Sequence, residues 1–214
     1  MVKTKKTKKT KKTKKTKKSQ KKKIKNVDTL ESLIDLGISF LKKGDVLEAR
    51  YNFMEAIKKY PSKPLGFIHL GLFNLENGNL VDASNNLLKA ADLDPKNIEI
   101  WTNLAKIHLR LRGLTRAFDY SKKALDISPK DPTALFFAGI IKLSQLELFF
   151  AKKYLTEAAN NKEDPIYPYV KFYLGILYAK QGLFLKAAEN FRAIQSNPNF
   201  KDISTKKGIE LQNN

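Results

Sequence analysis

Alanine recurs at positions 49, 83, 117 and 151, a constant step of 34 residues. The same step links Ala56, Ala90, Ala124 and Ala158, then Val46, Leu80, Leu114 and Leu148, and also Pro61, Pro95 and Pro129. Such a period describes copies of one supersecondary unit, each too small to bury its apolar face without a neighbour. From Leu30 onward the apolar residues fall at helical spacing, with no sustained strand alternation and no Asn-Gly or Asp-Gly hairpin turns between β-branched runs. The expected body is therefore all-α: two helices per period, stacked into a solenoid.

Each copy repeats a pattern. The first reads Leu33, Leu36, Gly37, Phe40, Gly44, Ala49, Phe53, Ala56, Pro61, and the second Phe67, Leu70, Gly71, Gly78, Ala83, Leu87, Ala90, Pro95. The third has Trp101, Leu104, Ala105, Ala117, Ala124 and Pro129; the fourth Leu135, Ala138, Gly139, Ala151, Leu155 and Ala158; the fifth Leu174, Gly175, Tyr178, Gly182, Ala187 and Phe191. This helix-turn-helix pattern resembles the tetratricopeptide repeat. The resemblance covers 172 of 214 residues: repeats at 30–63, 64–97, 98–131 and 132–165, then 168–201 with Ile166 and Tyr167 as extra linker residues. It departs from the family where Asn74, His108 and Lys142 replace a preferred Tyr, Glu163 a preferred Pro, and Lys171 a large apolar residue. The implied fold is a right-handed superhelical solenoid of about five hairpins, turning near Gly44, Gly78, Gly113, Gln145 and Gly182. Ala49 and Ala83 should sit at close helix contacts. Residues 202–214, with Ile203, Ile209 and Leu211 among polar neighbours, suit a short capping helix or a frayed end.

The net charge of +20 is concentrated at one end, since residues 1–26 hold 15 Lys and no acid. With no apolar side chain between Val2 and Ile24, residues 1–29 are expected to be a disordered polycationic tail. Lys5, Lys6, Lys8, Lys9, Lys11, Lys12, Lys14, Lys15, Lys17, Lys18, Lys21, Lys22 and Lys23 are its candidate polyanion contacts. Without Arg or aromatic residues such a tail would bind phosphates or anionic surfaces without reading sequence. The compositional alternative is a solubilising run, with Lys abundant and only five Arg in the chain. The tail also lacks the apolar segment of a secretory signal and the Arg of a transit peptide, so the expected compartment is cytoplasmic. The longest apolar runs, such as Leu146 to Ala151, are too short to span a bilayer.

Catalytic and metal chemistry find little footing. The chain has no Cys, and its two His, His69 and His108, lack the i, i+4 pairing of a zinc helix. No phosphate-binding glycine loop, nucleophile elbow or paired-carboxylate signature occurs, so neither enzyme activity nor a cofactor is expected. The resemblance instead implies a protein-interaction scaffold that binds a peptide or helix in a concave groove lined by first helices. The corresponding residues are Ile34 and Ile38, Ile68 and Leu72, Thr102 and Lys106, Phe136 and Ile140, and Tyr169, Phe172 and Ile176. Two readings of this mostly apolar stripe stand: an open partner-binding surface on which Ile68, Phe136 and Phe172 keep exposed area, or packing between neighbouring repeats. The chaperone carboxylate clamp of some family members is absent, because its positions hold Ile34, Ile38, His69, Glu99 and Asn103, or Ile68, Leu72, Asn103, Thr133 and Phe137. The alternative function is a nucleic-acid-associated protein anchored by the Lys-rich arm, with the repeats only recruiting.

Overall fold

The computed structural model describes residues 29–197. The arm expected over 1–29, except Thr29, and the cap expected over 202–214 lie outside the described residues. Thr29 closes the first helix instead: its hydroxyl accepts from Ser32 N at 3.2 Å, while Ser32 Oγ accepts from Thr29 N at 3.2 Å.

Among the described residues there are ten helices and no strand. They are α1 (Leu30–Lys43), α2 (Val46–Lys59), α3 (Pro64–Glu76), α4 (Leu80–Leu93), α5 (Ile98–Arg110), α6 (Leu114–Ile127), α7 (Pro132–Ser144), α8 (Leu148–Ala158), α9 (Tyr167–Lys180) and α10 (Phe184–Arg192). Consecutive helices pair as five antiparallel hairpins, and each hairpin packs on the next. Pro64 and Pro132 open their helices where the missing N–H is harmless. Asn97 and Asp131 cap α5 and α7 by accepting from Glu99 N at 3.1 Å and Ala134 N at 2.7 Å.

The recurrent alanines mark the closest helix approach: Ala49, Ala83, Ala117, Ala124 and Ala151 are wholly buried. Beside them runs a size-matched pairing. Gly37 faces Phe53, Gly71 faces Leu87, Gly139 faces Leu155 and Gly175 faces Phe191. A Cβ on Gly71 would lie 2.8 Å from Leu87 Cγ, and one on Gly139 2.6 Å from Leu155 Cγ, well inside van der Waals contact. In the third hairpin the same register holds Ala105 and Ser121, both fully buried, so a methyl on one helix coincides with a smaller residue on the other. Ser121 satisfies its hydroxyl by donating to Ala117 O at 3.0 Å.

Polar residues that depart from the repeat pattern are accommodated individually. His108 is buried, lies 3.2 Å from Ser84 Oγ through Nε2, and tilts against Tyr120 at 5.1 Å between centroids. Lys142 places Nζ over the ring of Phe118, 4.2 Å from the centroid, and pairs with Glu147 at 2.9 Å. Lys171 donates to Asn190 Oδ1 at 3.2 Å.

Burial pushes both imidazoles down; the carboxylates of Glu99 and Asp35 partly oppose this at His69, and the Arg116 charge reinforces it at His108. Lowered folded values mean that the unfolded chain takes up protons first on acidification. Stability held above about pH 6.5 should fall as the pH drops through the lowered folded values. Urea midpoints compared between about pH 7.5 and about pH 5 should decrease for the wild type, and His108→Gln should reduce the decrease. A midpoint that rises on acidification would reverse the assigned sign.

Candidate partner-binding groove

Curvature follows from which helices touch. The first helices α1, α3, α5 and α7 each contact the first helix of the next hairpin, ending at α9, whereas the second helices make no comparable contact with one another. The first helices therefore form the tighter, inner face, and the second helices splay over the outer one.

Along that inner face the expected stripe divides in two. Ile34, Ile68, Thr102, Phe136 and Ile140 are buried. Phe136 packs its ring 5.4 Å from Phe137 and 5.5 Å from Tyr173, and Ile34 and Ile68 belong to the apolar clusters that join neighbouring hairpins. The open area expected at Ile68 and Phe136 is therefore not there, because the adjoining first helices come close enough to cover it. Ile38, Leu72, Phe172 and Ile176 are half-buried, and Lys106 and Tyr169 are exposed.

Where the apolar stripe breaks, the face opens. A cavity of about 410 Å³ lies between α5 and α7, lined by Ile98, Glu99, Thr102, Asn103, Lys106, Asp131, Thr133, Phe137 and Ile166. Thr102 Oγ1 and Asn103 Nδ2 donate to Glu99 O at 3.0 and 2.9 Å, which aligns both side chains along α5 and leaves Asn103 Oδ1 as an acceptor. Lys106 adds a cationic donor, Glu99 an anionic acceptor and Thr133 a hydroxyl, around an apolar wall from Phe137 and Ile166. His69, stacked 5.6 Å from Phe53, lies within the field of the Glu99 carboxylate.

Of the sequence-expected residues, the cavity brings together Thr102 and Lys106; Ile34, Ile38, Ile68, Leu72, Phe136, Ile140, Tyr169, Phe172 and Ile176 do not line it. Its additional members are Ile98, Asp131 and Ile166, together with Glu99, Asn103, Thr133 and Phe137. The positions of the last four are those a carboxylate clamp would use, so the signal was positional and was lost because the residue types do not suit a carboxylate.

The tetratricopeptide repeat model matches residues 34–98 and 75–132. Residues 34–132 of this chain belong to the tetratricopeptide repeat family. Comparison with curated proteins finds no match. Among solved structures, the repeat protein resembles PilF of Pseudomonas aeruginosa, with TM-score 0.74 and 18% identity over 85% of this chain and 82% of that one. It also resembles TTC0263 of Thermus thermophilus, a thermophilic tetratricopeptide repeat protein, with TM-score 0.67 and 20% identity over 86% of this chain and 100% of that one. YrrB, described as having an unusual peptide-binding site, matches with TM-score 0.65 and 17% identity over 91% of this chain and 97% of that one. At such identities the likeness is one of fold. Among the described residues no helix is long and apolar enough to cross a membrane.

Proposed function

We propose that this tetratricopeptide repeat protein is a non-catalytic cytoplasmic scaffold that holds an extended segment of another protein across its inner face, centred on the cavity between α5 and α7. One observation carries the reading: the inner face is open where its lining alternates donors and acceptors rather than where it is apolar. An extended peptide offers free backbone N–H and C=O groups, which Lys106, Asn103, Glu99 and Thr133 can meet, while Phe137 and Ile166 receive an apolar side chain. An amphipathic helix would need a continuous open apolar stripe, and burial of Ile34, Ile68, Phe136 and Ile140 removes much of it. The peptide-binding site named for YrrB supports the same use of the fold.

Lys106→Glu combined with Asn103→Ala should weaken peptide capture by about tenfold or more, on a loss of about 0.5–1.5 kcal/mol per neutral hydrogen bond and more for a charged one. Because Lys106 is exposed and Asn103 half-buried, the thermal midpoint should barely move. An array of short peptides probed with the wild type and the double variant tests this. Equal capture by both proteins would remove the cavity from the binding surface.

A further inference from the structure

The hairpin topology places all first-to-second-helix turns on one edge of the solenoid and all connections between hairpins on the other. From the third hairpin onward the two edges carry opposite charge. The turn edge, residues 107–118, 141–153 and 177–188, holds eight Lys or Arg and one acid, Glu147, which is already paired with Lys142. The connecting edge, residues 91–99, 125–133 and 157–166, holds eight Asp or Glu and three Lys.

The basic edge also carries exposed apolar tips. Leu146, Phe149 and Leu185 are 68%, 74% and 77% exposed, and Phe150 and Leu183 stand beside them. Phe149 and Phe150 form an edge-on pair with centroids 5.4 Å apart that projects outward rather than into the core. Leu146 sits at φ 62, the left-handed turn position taken by Gly44, Gly78 and Gly182 in other hairpins, so a bulky side chain is held in an unfavourable conformation without gaining burial.

We infer that the turn edge of the third to fifth hairpins docks on an anionic lipid surface, with Leu146, Phe149 and Leu185 inserted at the headgroup boundary and Arg112, Arg116, Lys153 and Lys186 on the lipid phosphates. The charge segregation fixes the orientation, because the acidic edge is turned away from the membrane. Apolar and aromatic tips ringed by Arg and Lys match the interface between headgroups and acyl chains, where each component has its own partner. A nucleic acid would engage the Arg and Lys side chains and leave the three tips in water; a membrane engages both. The inner-face cavity lies on the concave side, so membrane docking and peptide capture use different surfaces.

The chain contains no Cys, so Phe149→Cys or Leu185→Cys in the full-length protein provides a unique attachment point for a polarity-sensitive dye. Vesicles of phosphatidylcholine with phosphatidylglycerol should blue-shift the dye at both positions, while phosphatidylcholine alone should not. Val81→Cys, at the same register but between Glu76 and Asp82, should report water throughout. In high salt, which weakens attraction through the arm, Phe149→Ser with Leu185→Ser should reduce sedimentation with the anionic vesicles by at least about tenfold. An unshifted dye, or equal sedimentation of the Ser double variant, overturns the proposal. So does an equal shift with duplex DNA, which would make the edge a polyanion site. A shift on raising the protein concentration without lipid also overturns it, by making the edge a contact with a second copy.

Discussion

Replacing Phe53 by Ala lowers the unfolding free energy by about 3–5 kcal/mol, the range for truncating a buried aromatic residue that neighbours cannot collapse to refill. The expectation is high in that range because three neighbours depend on the ring. Phe53 is 1% exposed, occupies the space left by Gly37, and meets His69 and Phe73 at 5.6 and 6.3 Å between centroids. Since α2 joins the first hairpin to the second, the loss falls on an interface as well as within a hairpin. In a solenoid with nearest-neighbour coupling, α1 and α2 should then open before the rest. Hydrogen exchange should show lost protection across Leu30–Lys59 while α5 to α8 retain theirs. A uniform loss of protection along the chain would show that the hairpins unfold as one unit instead.

The second large effect reverses sign with its background. Gly139→Ala should destabilise the wild type by about 1–3 kcal/mol, because the added methyl meets Leu155 Cγ at 2.6 Å and Leu155 N at 3.3 Å. That is a net figure: in a helix interior Ala is intrinsically favoured over Gly by about 1 kcal/mol, so the clash must exceed the propensity gain. When Leu155→Ser is made first, the obstructing Cγ and Cδ2 are gone, and the propensity gain is opposed only by the 3.3 Å approach of the backbone N at 155, a closeness that a few tenths of an ångström of shift relieves. Gly139→Ala should then stabilise. The third hairpin already has this arrangement, with Ala105 and Ser121 at the same register. A double-mutant cycle by chemical denaturation measures the coupling, and additive effects of the two changes would show that α7 and α8 are not in the close contact described.

Much of this protein was legible in its sequence for a physical reason: a repeated unit states its packing several times. Ala49, Ala83, Ala117 and Ala151 could recur at one spacing only if the same close contact recurred, and each is wholly buried where two helices meet. Gly44, Gly78 and Gly182 marked turns because glycine enters the left-handed region without strain, and Pro61, Pro95 and Pro129 marked the gaps between hairpins because proline fixes its own φ and offers no N–H. Helix number, the all-α class and the family resemblance followed from such local signals.

The inner face was only partly legible. Periodicity places Ile68, Phe136 and Lys106 on the same side of their helices, but whether that side is open depends on how closely successive first helices approach. That approach buries Ile68 and Phe136 and opens a cavity where Thr102 and Lys106 interrupt the stripe. The size match of Gly139 with Leu155, and of Ala105 with Ser121, likewise spans two helices and has no signature within either one. The sorting of basic residues and apolar tips to one edge arises only when the turns are brought side by side, since Arg112, Phe149 and Lys186 are distant in the chain. Local propensity and period thus determined the elements and their order. Curvature, burial and the meeting of distant residues were decided by tertiary packing, because they depend on distances between helices rather than on spacing within them.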